Sequence, residues 1–145
     1  MGVYPSHLAR RRTLADGRSV LIRPIRAEDE PAERLRFDYD RRMAFVCAAT
    51  VDGSEQLVGE ARYVAKPDGR SCEFGVAIGD GWHRTGIAGL LMEALIRYAQ
   101  ARGFETMEGL VLRDNRDMLK FVRALGFEAA ATPEDPTLLR VARKL

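Results

Sequence analysis

Lysine is scarce in this chain. Only Lys66, Lys120 and Lys144 carry that side chain among 23 basic residues, and 21 acidic residues bring the formal charge down to +2. A balance so small gives no support to a nucleic-acid partner. The basic residues are dispersed except for "ARRR" at Ala9 to Arg12, which reads as a solvated strand edge rather than a binding tract. Cysteine is scarcer still. Cys47 and Cys72 both fall inside apolar, strand-like runs, so they read as buried reduced thiols and not as a disulfide or a metal site. No signal-peptide pattern opens the sequence, and no apolar run approaches the ~20 residues that cross a bilayer, so the expectation is a cytoplasmic protein without a membrane partner. Repeats, low-complexity segments and linkers are also missing. With 145 residues, 46% of them hydrophobic and 30% charged, residues 1–145 are expected to form one domain.

The strands announce themselves through alternation and turns. "RRRTLADGRSVLIRPI" holds two extended runs around Asp16-Gly17, a hairpin signal, and Pro24 ends the second. The polar piece from Arg26 to Arg42 has room for a short helix or two, with "AEDEPAERLRF" the best place for one. "MAFVCAATV" suits a strand covered on both faces, Asp52-Gly53 turns it into "QLVGEARYVA", and "KPDGR" makes another turn. In "CEFGVAIG", Phe74, Val76 and Ile78 form a bulky face. Glu73, Gly75 and Ala77 leave the other face bare, with a carboxylate beside open space.

Helical spacing is clearest at Ile87, Leu90, Leu91, Ala94, Leu95 and Tyr98, with Gly103 as the stop. "ETMEGLVL" then reads as a strand, Asn115 to Leu125 as a second helix ended by Gly126, and the tail as two strands joined by a Pro-rich loop. This order implies a mixed α/β (α+β) sheet with helices on both sides.

The stretch "GDGWHRTGIAGLLMEAL", Gly79 to Leu95, loosens its backbone directly before the first helix. A Gly-rich entry leaves N–H groups free at the positive end of the helix dipole, where an anion is held. The Gly-Lys-Ser/Thr ending of a mononucleotide loop is absent, as is the G-x-G-x-x-G spacing of a dinucleotide site. What remains, between His83 and Gly89 with Arg84 beside it, suits a pyrophosphate held mainly by main chain.

Those residues resemble the GCN5-related N-acetyltransferases, the GNAT superfamily. Its cofactor loop, Gln/Arg-x-x-Gly-x-Gly/Ala, is similar to "HRTGIA" at His83 to Ala88, with His83 departing from the usual first residue. Its second signature, an Asn opening a helix that ends in Leu-Gly-Phe, is similar to "NRDMLKFVRALGF" at Asn115 to Phe127. "ADGRSVLIRPIRAEDEP" and "DYDRRMAFV" look, more narrowly, like the acetyltransferase domain of bacterial protein lysine acetyltransferases. The resemblance covers about Ser19 to Leu145. It implies a twisted, mostly antiparallel sheet and acetyl-CoA as co-substrate, with no metal. It implies cofactor contacts from Val76, Ala77, Ile78, His83, Arg84, Thr85, Gly86, Ile87, Ala88, Gly89, Asn115, Met118 and Phe121.

Acetyl transfer to an amine needs the neutral amine, and a free lysine with pKa about 10.4 is neutral about once in 2,500 molecules at pH 7. Glu73 is the candidate general base, acting directly or through water, its pKa raised by partial burial. The main-chain N–H groups of Val76 to Ile78 are candidates to polarise the thioester carbonyl. The family's general-acid tyrosine, seven residues after the asparagine, is Val122 here, so the thiolate leaves unaided or with help from another group. Asn115 either caps its helix or holds the pantetheine arm. Trp82 is a packing anchor or a substrate platform, and His83 faces the pyrophosphate or solvent.

The resemblance also implies two helices forming a wall of the acceptor site between the first core strands, and Arg26 to Arg42 is too short for both. The expected consequence is an acceptor groove left wide, completed by a partner subunit, or too incomplete for efficient catalysis, with too little cover over "MAFVCAATV" and the bare face around Gly75 and Ala77. A second copy of the chain, or the N-terminal segment Tyr4 to Arg12 with the hairpin that follows, is expected to supply that cover. Three functions fit: acetylation of a primary amine, in particular a protein lysine; acetylation of a small-molecule amine; or sensing of acetyl-CoA without turnover.

Overall fold

A computed structural model of the chain describes residues 4–29 and 41–145. Eight strands form one sheet: β1 (Arg10–Thr13), β2 (Ser19–Pro24), β3 (Arg42–Val51), β4 (Ser54–Ala65), β5 (Ser71–Ile78), β6 (Thr106–Leu112), β7 (Glu128–Ala131) and β8 (Leu138–Lys144). They lie in the order β1-β2-β3-β4-β5-β6-β8-β7, and every neighbouring pair is antiparallel except β5 with β6. Helix α1 (Ile87–Ala101) joins β5 to β6, and α2 (Arg116–Ala124) joins β6 to β7. Gly103, at φ 89°, ends α1 as its position suggested, and Asn115 caps α2.

Both connections carry the chain the same way across the sheet, and a right-handed crossover then puts both helices on the same face. Their buried side chains do share one core. Ile87, Leu91 and Leu95 of α1 and Leu119 and Val122 of α2 join Met43, Phe45, Cys47, Ala61, Tyr63, Cys72, Met107 and Val141 from one side of the sheet. Cys47 and Cys72 are free and buried there, and burial pushes their thiols up to about 11 and about 12. Neither is an acid or a nucleophile at neutral pH.

The opposite face of β3 is covered as well: Ala44 and Val46 pack with Ile25. Residues Met43 to Ala49 are all buried within one chain, so the shortage of cover expected for this strand does not arise. The N-terminal segment adds an edge rather than a lid. Strand β1 extends the sheet beyond β2, and the Tyr4 hydroxyl donates to the Pro24 carbonyl at 2.6 Å. The helix expected over "AEDEPAERLRF" lies mostly outside the described residues, apart from one 3-10 turn at Ala27–Asp29. That turn is pinned from below. Arg23, 1% exposed, donates to Asp29 at 2.7 and 3.1 Å and to Glu55 at 3.2 Å.

No helix among the described residues is long and apolar enough to cross a membrane.

Candidate active site

The site begins where two parallel strands part. β5 pairs with β6 only through Ser71, Cys72 and Glu73, whereas its pairing with β4 continues to Ile78. A wedge explains the parting. A Cβ built on Gly109 of β6 would meet the Phe74 ring at 2.6 Å, so the ring occupies space that any other residue at 109 would fill. Phe127 backs that ring at a centroid distance of 5.0 Å.

Beyond the wedge, the outer edge of β5 is open. Main-chain groups point alternately to the two sides of a strand, and three hydrogen bonds fix which residues point where. The Ser71 carbonyl and the Gly79 N–H bond toward β4, while the Arg70 carbonyl bonds toward β6 at Glu105. Val76 and Ile78 therefore direct their N–H groups at the open edge. Ala77 directs its own toward β4, and its side chain lies on the sheet face away from the helices.

The loop after β5 supplies the second part. Gly81 and Gly86 have φ of 84° and 92°, and Arg84 takes the left-handed conformation at φ 63°, uncommon outside glycine. The Thr85 hydroxyl donates to the Trp82 carbonyl at 2.5 Å, closing the turn. Gly86 then caps α1 with no side-chain acceptor, and the first turn holds no acidic residue. The first helical bond runs from Leu90 N–H to the Gly86 carbonyl at 3.3 Å, so the N–H groups of Ile87, Ala88 and Gly89 lack an intrahelical partner. Added Cβ atoms at Gly86 or Gly89 would meet nothing within 4 Å. This is bare, positively polarised backbone facing open space, the chemistry that holds a phosphate.

Edge and loop share one cavity of about 860 Å³. Among the residues proposed from sequence, Val76, Ile78, His83, Arg84, Gly86, Ala88, Gly89, Asn115, Met118 and Phe121 line it. Three do not. Ile87 sends its side chain into the core, Thr85 bonds within the loop, and Ala77 lines a separate groove. Asn115 does cap its helix, its Oδ1 accepting from Met118 N–H at 3.1 Å, which leaves its Nδ2 donor for the cavity it lines. Trp82 also lines the cavity, and the Arg18 guanidinium from the β1–β2 turn stacks over its ring at 4.0 Å. Asp117 was missed, although an acid two residues after a helix cap is itself a first-turn signal. The walls are polar at the loop end and apolar at the other, beside Met118 and Phe121.

Glu73 stands at the point of parting. It is exposed, not partly buried as expected, and its carboxylate makes no hydrogen bond or ion pair among the described residues. Its neighbour across β6, Glu108, is committed instead, accepting from Lys66 and Arg140 at 2.8 Å each. On the same sheet face, Gly75 and Ala77 lie beside Arg62 and Glu60 of β4, which pair with each other. A groove of about 310 Å³ runs there between Leu57, Glu60 and Ala77. Alternation in "LVGEARYVA" could have placed Glu60 beside the bare face. Val122, at the position of the family's tyrosine, is fully buried in the core.

A helix mouth with unpaired N–H groups and an open strand edge, joined in one cleft, accord with what the chain matches. The model of the acetyltransferase (GNAT) family covers residues 15–127. This chain belongs to that family. An acetyltransferase of Pseudomonas aeruginosa is 34% identical to it, over 86% of this chain and 83% of the relative. Among solved structures, the GNAT domain of S. lividans PAT superposes with a TM-score of 0.82 at 19% identity, covering 99% of this chain and all of that domain. A cAMP-binding acyltransferase from Mycobacterium smegmatis superposes at 0.74 with 21% identity, over 94% of this chain and 46% of that protein. As a GNAT acetyltransferase the chain is an acyl-CoA-dependent N-acyltransferase, and the family draws its acyl group from acetyl-CoA. Among the described residues there is no group of three or more side chains arranged to hold a metal.

Proposed function

We propose that this protein transfers the acetyl group of acetyl-CoA to a primary amine, and that its preferred acceptor is a lysine on a protein surface. The reading is carried by Glu73: an uncommitted carboxylate where β5 leaves β6, on the same strand as the free N–H groups of Val76 and Ile78. Bound acetyl-CoA supplies an activated thioester. The loop N–H groups of Ile87, Ala88 and Gly89 hold the pyrophosphate, and Met118 and Phe121 flank the arm. Val76 and Ile78 donate to the carbonyl oxygen as negative charge develops there. Glu73 removes the amine proton through a bridging water, because three residues of strand, about 10 Å, separate it from Val76. With Val122 buried, no side chain at that position protonates the departing thiolate.

A protein acceptor is favoured by the bare Gly75 and Ala77 face and by the apolar residues around it. Leu57 and Val64 are about half exposed on this face, as are Leu110 and Leu112 of β6. Apolar surface grouped in this way marks a contact site. A second copy of the chain over Leu110 and Leu112 would form a homodimer and add a wall to the acceptor groove. The test of function is a screen of acetyl-CoA turnover against protein and small-amine acceptors. Turnover confined to polyamines, amino acids or aminoglycosides would replace the protein acceptor with a small one. Tight acetyl-CoA binding without turnover would make the protein a sensor. Sedimentation tests the dimer: a strictly monomeric, fully active species at high micromolar concentration would remove it.

A further inference from the structure

The arginines of "ARRR" do more than line an edge. Alternate residues of a strand share a face, and Arg10 and Arg12 of β1 both turn toward a cavity of about 220 Å³ between β1 and the body of α1. This cavity shares no lining residue with the 860 Å³ cleft. Its floor is apolar, made by the buried Ile22 and Phe45 with Leu90 and Ala94 of α1. Its rim is cationic. Arg97 of α1 joins Arg10 and Arg12 there, and the one carboxylate present, Glu93, lies 3.8 Å from Arg12 and 3.2 Å from Arg97. Among the described residues no carboxylate pairs with Arg10: its guanidinium donates to the His7 and Ala9 carbonyls at 2.7 and 2.8 Å.

Three guanidinium groups answered by one carboxylate, above an apolar floor, form a complement to an amphipathic anion. Guanidinium binds carboxylate through paired, charge-assisted hydrogen bonds. The volume is below the roughly 300–1,000 Å³ of sites for drug-sized ligands, which limits the apolar part to a short chain. We infer that this cavity binds a medium-chain carboxylate, its tail on Ile22, Phe45 and Ala94 and its head group at Arg10 and Arg97. The site is independent of the acyl-transfer cleft, so its failure and that of the proposed activity are separate results.

Octanoate is a suitable probe, titrated by calorimetry into protein already saturated with CoA, so that the cofactor cleft is filled. Saturable binding is expected. Arg10→Ala, an exposed substitution that leaves the core untouched, should weaken it about tenfold. Ala94→Phe should abolish it by filling the floor, and octylamine, with the same tail and the opposite charge, should not bind. Absence of saturable octanoate binding would overturn the inference. So would octanoate binding that survives both substitutions, or equal binding of octylamine.

Discussion

A valine at Gly86 separates the two demands placed on the mouth of α1. Gly86 sits at φ 92°, and a β-branched residue forced into that conformation costs roughly 1–3 kcal/mol. For a domain of this size that lowers Tm by roughly 2–4 °C per kcal/mol. Gly103, at the other end of α1, has φ 89° and likewise no neighbour within 4 Å of an added Cβ, so Gly103→Val carries similar strain far from the cleft. The pair forms a matched control. Only at residue 86 does the new side chain stand before the N–H groups of Ile87, Ala88 and Gly89. A hydrogen bond to a charged group contributes about 1.5–3 kcal/mol, and 1.4 kcal/mol is a factor of ten in affinity. Losing one such bond therefore weakens acetyl-CoA roughly 10- to 100-fold. Calorimetry on both variants, after circular dichroism shows each folded, reads the difference. Equal affinities for Gly86→Val and Gly103→Val would show that the pyrophosphate lies elsewhere.

Glu73→Gln should lower turnover by about 10² to 10⁴ with acetyl-CoA affinity nearly unchanged, and full turnover from pH 6 to 9 would remove Glu73 as the base. Gly109→Ala should cost about 1–3 kcal/mol by crowding the Phe74 ring, read as a fall in denaturation midpoint, and Phe74→Leu in the same chain should recover part of it. Unchanged stability of the single variant would show that Phe74 is not wedged between the strands. Asp29→Asn should destabilise toward the lower end of about 3–5 kcal/mol, because buried Arg23 would keep only Glu55 as a charged partner. Burial pushes the Asp29 carboxyl up, but the Arg23 guanidinium and the Arg26 N–H outweigh it and hold the carboxyl below its usual range. Its contribution is therefore present at neutral pH and is lost as pH falls below about 4, where wild type and variant should converge. A gap that stays constant with pH would refute the ionic account.

The helices, turns and loop could be read from the sequence because each rests on local chemistry. Gly17 at the first hairpin, Gly86 and Gly103 around α1 and Asn115 before α2 act on their immediate neighbours, so spacing alone located them. The parting of β5 from β6 was not legible. It depends on Phe74 meeting a missing Cβ at Gly109, two residues 35 positions apart that the fold brings together. The buried Arg23 pair with Asp29 and Glu55 is hidden for the same reason, since charge in a sequence ordinarily signals solvent. The expected shortage of cover over "MAFVCAATV" was wrong because Ile25, directly after β2, folds onto Ala44 and Val46. Ala77 shows what a residue list cannot: alternation turns its N–H toward β4, while those of its two neighbours face the open edge.

Acetylation of an amine at this cleft would release free CoA thiol from acetyl-CoA, which can be followed with and without a lysine-bearing protein acceptor. Thiol release should depend on the acceptor, match acetyl-lysine formed one for one, and fall by at least about a hundredfold in Glu73→Gln. Stoichiometric acetyl-CoA binding with no acceptor-dependent thiol release, for protein and small amines alike, would contradict acetylation at this cleft.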